Sequence, residues 1–298
     1  MEDRASFRSG FVTIWGRPNV GKSTLLNSIL KYKITIVSDK PQTTRKNIKG
    51  ILNHPDCQIV FIDTPGLHVP VDPLGEFLSN QWKSSLFDAD CLLYLTNPGV
   101  SVDTDEIYLK EIRNFPHPVL LIVNKIDLFK KGTIQKTIHE FSQHFSFHDI
   151  LEVSALTGVG LEQLIQKIRD LLPISPPYFD EEQISDVYER DIVGEMIREK
   201  VWHHIHQEVP YGVEVRVEEF KEKENLVSIR AIIYVEKDSH RKIIIGGKGS
   251  MIKRIGSDAR KDLEEFFGVK VFLDLWVKTQ LNWRKKPAVL RRWGYTIR

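Results

Sequence analysis

The sequence predicts an α/β domain built on a mostly parallel sheet, followed by a smaller α+β domain. Three observations lead there. Up to about Leu172, apolar runs of strand length alternate with stretches of helical spacing, the pattern of strands covered on both faces by helices. From Pro173 to Asp186 the stretch "PISPPYFDEEQISD" is rich in proline and acid and loses apolar periodicity, which predicts a stiff, solvated connection. Beyond it, runs of period two appear. With 298 residues, 41% of them hydrophobic, the chain can bury two cores. The division expected is 1–175, a linker at 176–186, and 187–298.

Element by element, "FVTIW" (Phe11 to Trp15) predicts the first strand, and "LLNSILK" just after a glycine-rich loop predicts a helix. "QIVFID" (Gln58 to Asp63), "CLLYLT" (Cys91 to Thr96), "PVLLIVN" (Pro118 to Asn124) and "ILEVS" (Ile150 to Ser154) supply four more strands. Ligand loops of such a sheet lie at the carboxyl ends of its strands. In the second part a helix is expected from about Val187 to Glu208, then "VEVRVEEF", a "KEKEN" turn and "LVSIRAIIYV". A glycine loop, the helical stretch "MIKRIGSDARKDLEEFF" and the strand "VKVFLDLWV" follow.

The loop after the first strand, "GRPNVGKST", fits G-x-x-x-x-G-K-S without a gap. Its residues, Gly16, Arg17, Pro18, Asn19, Val20, Gly21, Lys22, Ser23 and Thr24, form a candidate phosphate cradle. Backbone N–H groups and Lys22 would hold the β and γ phosphates, and the Ser23 hydroxyl a Mg²⁺ ion. "DTPG" ends the strand "QIVFID"; Asp63 can orient Mg²⁺ through water and the Gly66 N–H can sense the γ-phosphate. "NKID" ends "PVLLIVN", and an ionised Asp127 can accept two hydrogen bonds from guanine where adenine offers no such pair, which selects GTP over ATP. Asn124 can brace neighbouring loops and the Lys125 stem can cover the purine. In "SAL", Ser154, Ala155 and Leu156, the Ala155 N–H can reach guanine O6.

Four loops in this order resemble the translation-factor-related GTPases. That resemblance places a switch threonine in "KPQTTRKNIKG", immediately before the arginine, hence Thr44, with Thr43 as the alternative. Leu67 stands where Ras-type GTPases carry a water-orienting glutamine, so slow hydrolysis is expected. The chain resembles GTPases in which a P-loop asparagine, here Asn19, helps hold K⁺ near the phosphates, and K⁺-stimulated turnover follows as an expectation. Lys22, Thr44, Gly66 and Asn19 are thus the candidate catalytic residues.

A second glycine loop, "IIGGKGSMIKRIG", lacks the P-loop spacing, since Gly249 rather than a hydroxyl residue follows Lys248. Gly246 to Gly249 instead reads as the G-x-x-G of a KH domain, which clamps about four nucleotides beside an apolar strand. Residues 237–298 carry 16 basic and 6 acidic residues, whereas 176–236 carry 7 and 15, so the C-terminal end suits a polyanion. The candidate RNA contacts are Ile245, Gly246, Gly247, Lys248, Gly249, Lys253 and Arg254, joined by Trp283, Arg284, Lys285, Lys286, Arg291 and Arg292 in the basic, aromatic tail. Alternatively, Trp283, Trp293 and Tyr295 pack on the core while the charges are solvated.

Together "GRPNVGKST", "QTTR", "DTPG", "NKID", "SAL" and the "IGGKG" loop resemble the Era family of bacterial GTPases over essentially the whole chain. The resemblance implies a P-loop GTPase domain with a type II KH domain behind it and GTP/GDP with Mg²⁺ as ligands. It also implies the 3′ end of small-subunit ribosomal RNA and the small ribosomal subunit as partners, in a monomer that assists subunit maturation. A cytoplasmic location is implied, with peripheral contact to the inner membrane described for the family. Two rival readings stay open: an RNA-binding scaffold with GTP as a structural ligand, and a GTPase whose basic domain grips protein or anionic lipid. Trp15 departs from the family's small aliphatic, and either crowds the nucleotide loop or fills core. The His203, His204 and His206 cluster sits in one predicted helix, where three neighbours cannot all face one ion. No signal-peptide h-region or membrane-length apolar run is found, and Cys57 and Cys91 fall in or beside strands, so a soluble chain with buried free thiols is expected.

Overall fold

A computed structural model describes residues 7–37, 44–66 and 71–295. They fall into two compact units: one of residues 7–35, 44–66 and 78–186, the other of Ile36, Val37, 71–77 and 187–295.

In chain order the first part comprises β1 (Arg8–Trp15), α1 (Lys22–Leu30), β2 (Ile48–His54), β3 (Cys57–Asp63), α2 (Pro73–Ser84), β4 (Cys91–Thr96), α3 (Val102–Ile112), β5 (Val119–Val123), α4 (Lys131–His144), β6 (Asp149–Glu152) and α5 (Leu161–Leu171). The strands form one sheet in the order β2-β3-β1-β4-β5-β6, parallel except for β2, which runs antiparallel to β3. Every residue of β3, β4 and β5 is buried, which is why these segments read as unbroken apolar runs. Trp15 fills core rather than crowding the loop beyond it: its ring stacks on Trp82 at 3.9 Å, and its indole N–H donates to the Tyr108 carbonyl. Cys57 and Cys91 are free and buried. Burial pushes their thiols up, to about 11 and about 12.

Two features of this unit differ from expectation. Strand β2 was not legible, because "IKGILNH" mixes Gly, Asn and His into a short edge strand. Residues 176–186 are largely exposed, as a solvated stretch should be, but they are no free spacer. The Ile51 N–H donates to the Ile184 carbonyl at 2.7 Å, and the Ser185 hydroxyl to the Lys49 carbonyl at 2.7 Å. Further along, the Gln58 side-chain oxygen accepts from the Tyr178 and Phe179 N–H groups, and its NH₂ donates to the Phe179 carbonyl. The stretch lies as a strap along β2, satisfying main-chain groups that an edge strand would leave bare.

The second unit contributes α6 (Glu189–His204), β7 (Glu214–Lys223), β8 (Leu226–Val235), α7 (Asp238–Ile245), α8 (Ser250–Phe267), β9 (Lys270–Thr279) and α9 (Pro287–Arg292). Its sheet runs β7-β8-β9, with β7 antiparallel and β9 parallel to β8. Along β8, Val227, Ile229, Ala231, Ile233 and Val235 bury one face of the strand, and Ile232 is buried on the other. Helix α8 buries Ile255, Ala259 and Leu263, each four residues from the last, one stripe of a helix. His204 pairs with Asp258 at 2.7 Å, while His203 and His206 are exposed. Among the described residues no helix is long and apolar enough to cross a membrane.

Candidate nucleotide and RNA sites

Strand β1 ends at Trp15, and the chain then turns through Gly16 (φ 137°), Asn19 (φ 64°) and Gly21 (φ 103°) before α1 begins at Lys22. A side chain at Gly16 would strike the Leu95 carbonyl oxygen at 2.4 Å, so the loop passes too close to β4 for any other residue. Lys22 folds back over this loop, its ammonium donating to the Gly16 and Arg17 carbonyls at 2.9 and 3.0 Å. Burial brings its pKa down from 10.5 to about 8, with Asp63 and Asp105 opposing the shift.

Ser23, Thr44 and Asp63 come from three separate segments and meet. The Ser23 hydroxyl donates to Asp63 Oδ2 at 2.7 Å, Thr44 Oγ1 donates to the same oxygen at 3.3 Å, and the two hydroxyls lie 3.2 Å apart. Asp63 is buried, and burial raises its pKa, opposed by Lys22. Its Oδ1 is buried and has no hydrogen-bond partner among the described residues. Oxygen donors only, one of them a buried carboxylate with an unused oxygen, fit a hard divalent cation such as Mg²⁺. Gly66 lies against the loop as well: a Cβ there would meet Pro18 Cγ at 2.8 Å. Thr43 and Leu67 fall outside the described residues.

Asn124 ties two loops together, donating from Nδ2 to the Val20 carbonyl at 2.8 Å and accepting from the Ala155 N–H at 2.9 Å. That N–H, expected to meet guanine O6, is therefore engaged within the protein here. Lys125, in the left-handed region at φ 63°, donates from Nζ to the Asn19 carbonyl at 2.7 Å. Asp127 accepts from the Ser154 hydroxyl at 2.6 Å, and Leu156 is exposed.

One contributor escaped the sequence. Asp105, on α3, is fully buried beneath the loop, its Oδ1 3.3 Å from Arg17 Nε and its Oδ2 accepting from the Thr96 hydroxyl at 3.1 Å. A single aspartate inside a helix carries no motif, and only the fold brings it to Arg17.

In the second unit the glycine loop joins α7 to α8, with Gly246 (φ 72°), Lys248 (φ 52°) and Gly249 (φ 78°) in conformations that suit glycine. Gly247, Lys248, Lys253 and Arg254 are exposed, and Ile245 is half-buried. Beside the loop, α8 and β9 enclose a groove of about 390 Å³ lined by Ile252, Lys253, Gly256, Ser257, Arg260, Leu273 and Leu275. Of these, the sequence points only to Lys253, because composition does not show which faces of α8 and β9 are turned toward each other. In the tail the aromatics follow the alternative reading and pack on the core. Trp283 is no stacking platform: it is fully buried and donates its indole N–H to the Gly212 carbonyl at 2.9 Å, while Trp293 and Tyr295 are buried around it. Arg284 is ion-paired with Asp72 at 2.6 Å. Lys285, Lys286, Arg291 and Arg292 remain exposed.

Comparison with known proteins agrees with this layout. A family model described as a 50S ribosome-binding GTPase matches residues 11–125, and a KH domain model matches residues 208–284. The GTPase Era of Caldanaerobacter subterraneus subsp. tengcongensis is 47% identical over 295 residues, covering 98% of this chain and 99% of that protein. The chain belongs to the Era family of GTPases. The GTPase Era of Geotalea uraniireducens is likewise 47% identical, over 97% of this chain and 98% of its own. Among solved structures, an Era variant from Aquifex aeolicus bound to GDP and AlF4⁻ superposes with a TM-score of 0.92 at 37% identity, over 98% of this chain and all of that one. Era in complex with MgGDPNP and nucleotides 1506–1542 of 16S ribosomal RNA gives 0.89 at 36% identity, with the same coverage.

Proposed function

We propose that the chain is a GTP-hydrolysing switch that binds the 3′ end of small-subunit ribosomal RNA through its KH unit and serves assembly of the small subunit. The observation that carries the reading is the meeting of Lys22, Ser23, Thr44 and Asp63 at the mouth of a P-loop, in a chain that also bears a KH groove. Lys22 and the loop N–H groups of 16–24 hold the phosphates; Ser23, Thr44 and Asp63 hold Mg²⁺, which neutralises charge on the phosphates when bound. Asp127 reads guanine, with Asn124 and Lys125 shaping the pocket and Ala155 free to exchange its partner on binding. RNA backbone sits on residues 245–249 with Lys253 and Arg254, and the exposed cations of the tail add sequence-independent attraction.

The affinity of the full chain for an RNA with the sequence of nucleotides 1506–1542, measured with GDP and with a non-hydrolysable GTP analogue, tests the reading. Tighter binding with the analogue is the expected result. Equal binding in both states would favour a scaffold for which GTP is only structural, and no binding would remove RNA from the reading.

Turnover is proposed to be K⁺-stimulated. Asn19 supports this: it holds the crest of the loop in a left-handed turn beside the Lys22 anchor. Equal rates in KCl and NaCl would exclude it.

A further inference from the structure

In strand β9 successive side chains take opposite faces. Val271 and Val277 are buried, and Leu273 and Leu275 between them line the groove against α8. The opposite face carries Phe272, Asp274, Trp276 and Lys278. Phe272 is 60% exposed and Trp276 is 56% exposed, although both are large aromatics in the middle of a strand. No other tryptophan of the chain behaves so: Trp15, Trp82, Trp202, Trp283 and Trp293 are all at most 4% exposed.

The same outer face is closed over the neighbouring strand. Tyr234 of β8 packs against Trp293 with ring centroids 4.9 Å apart, and Ile232 is buried. Toward β9 the face is left open, from Arg230 on β8 to Phe272 and Trp276. There the indole is held in place: Trp276 Nε1 donates to Asp274 Oδ2 at 3.0 Å, and that oxygen also accepts from Arg230 Nε at 2.9 Å. With its N–H satisfied inside the sheet, the residue is still more than half exposed. β9 is also an edge strand, so groove and outer face are separated only by the strand itself.

We infer that Phe272 and Trp276 on the outer face of β9 form a second stacking surface for single-stranded RNA, continuous with the groove on the strand's other side. This rests on the proposed reading of the KH unit as an RNA binder. Two features select RNA over a protein partner. The rings are separated by the Asp274–Arg230 ion pair, whereas the centre of a protein interface is depleted in charge. Exposed Lys270 and Lys278 flank the rings, and Lys253 and Arg260 line the groove behind them, so a polyanion meets cations on both faces of the strand. Four residues apart, the rings stand about 13 Å from one another along the strand, which suits two separate bases.

Because the other five tryptophans are buried, acrylamide quenching of the intrinsic fluorescence reports chiefly on Trp276. Titrating the full chain with RNA of nucleotides 1506–1542 is expected to quench it and to shield it from acrylamide. Trp276→Ala is expected to weaken RNA binding by about five- to a hundredfold, the range for one lost stacked base, and Phe272→Ala to act in the same direction. Trp276→Phe should retain most of the affinity. The slope of affinity against salt should stay unchanged in these variants and fall in Lys253→Ala, since only the lysine displaces counterions. Unfolding temperatures check that the exposed substitutions leave the fold intact. If the double variant Phe272→Ala/Trp276→Ala binds as tightly as the parent while Lys253→Ala binds weakly, the outer face takes no RNA and the inference falls while the KH reading stands. If the parent itself binds no RNA, the reading falls first.

Discussion

At the scale of single residues, the nucleotide site is governed by two buried charges. Lys22 ionises less readily in the fold, at about 8 against 10.5, because burial outweighs the pull of Asp63 and Asp105. Between those values Lys22 keeps its proton in the unfolded chain but not in the folded one, so its own contribution to the stability of the nucleotide-free protein grows as pH rises from 8 to 10.5, by on the order of 3 kcal/mol. The buried thiols of Cys57 and Cys91 act in the opposite sense above about pH 9. GTP binding runs the other way, because phosphate requires the ammonium, and affinity should decline above pH 8. Thermal unfolding against pH, with and without nucleotide, checks both trends, the Lys22 contribution being read as the difference between the parent and Lys22→Met, which should widen from pH 8 upward. The second charge is Asp105. Asp105→Asn leaves the Arg17 guanidinium without its carboxylate and is expected to weaken GDP and GTP binding more than it lowers the unfolding temperature. A double-mutant cycle with Arg17→Ala should return a coupling of about 1 kcal/mol or more; independent effects would mean that the pair does not hold the loop.

At the scale of elements, what was legible in the sequence follows from what each segment contacts. Strands β4 and β8 appear within the runs "CLLYLT" and "LVSIRAIIYV" to the residue, because full or alternating burial writes itself into composition. The nucleotide loops were legible for a related reason: each is a short, contiguous run at the end of a strand. The strap at 176–186 and Asp105 were not, since each depends on a partner distant in sequence; β2 mixes Gly, Asn and His into its run, and the α8–β9 groove depends on which faces two consecutive elements turn toward each other. Trp283 was misplaced because a basic neighbourhood says nothing of which face an aromatic side chain takes. The glycine loop offers a test between neighbours. Gly246 has φ 72° and ψ 171°, and a Cβ there would meet Met251 at 2.7 Å, whereas a Cβ at Gly247 meets nothing within 4 Å. Gly246→Ala should therefore lower the unfolding temperature by several degrees, with Gly247→Ala close to neutral for stability and its effect confined to RNA affinity.

For the whole molecule, the first unit includes a stretch that composition assigned to no unit at all. The strap ends at Asp186, whose side chain accepts from the Lys49 N–H at 3.2 Å. A chain cut after residue 175 should be less soluble than one cut after 186, because its β2 edge is open to pairing with another copy. Light scattering of the two truncated proteins at matched concentration measures this, and equal behaviour would deny the strap its protective part. The strap also sets an order of events during synthesis. Strand β2 is complete at His54, but the residues that cover it emerge more than a hundred residues later, a delay of roughly 6 to 25 s at ordinary elongation rates. A nascent chain of this protein thus carries a sheet edge that its own covering segment cannot protect until translation has passed residue 186.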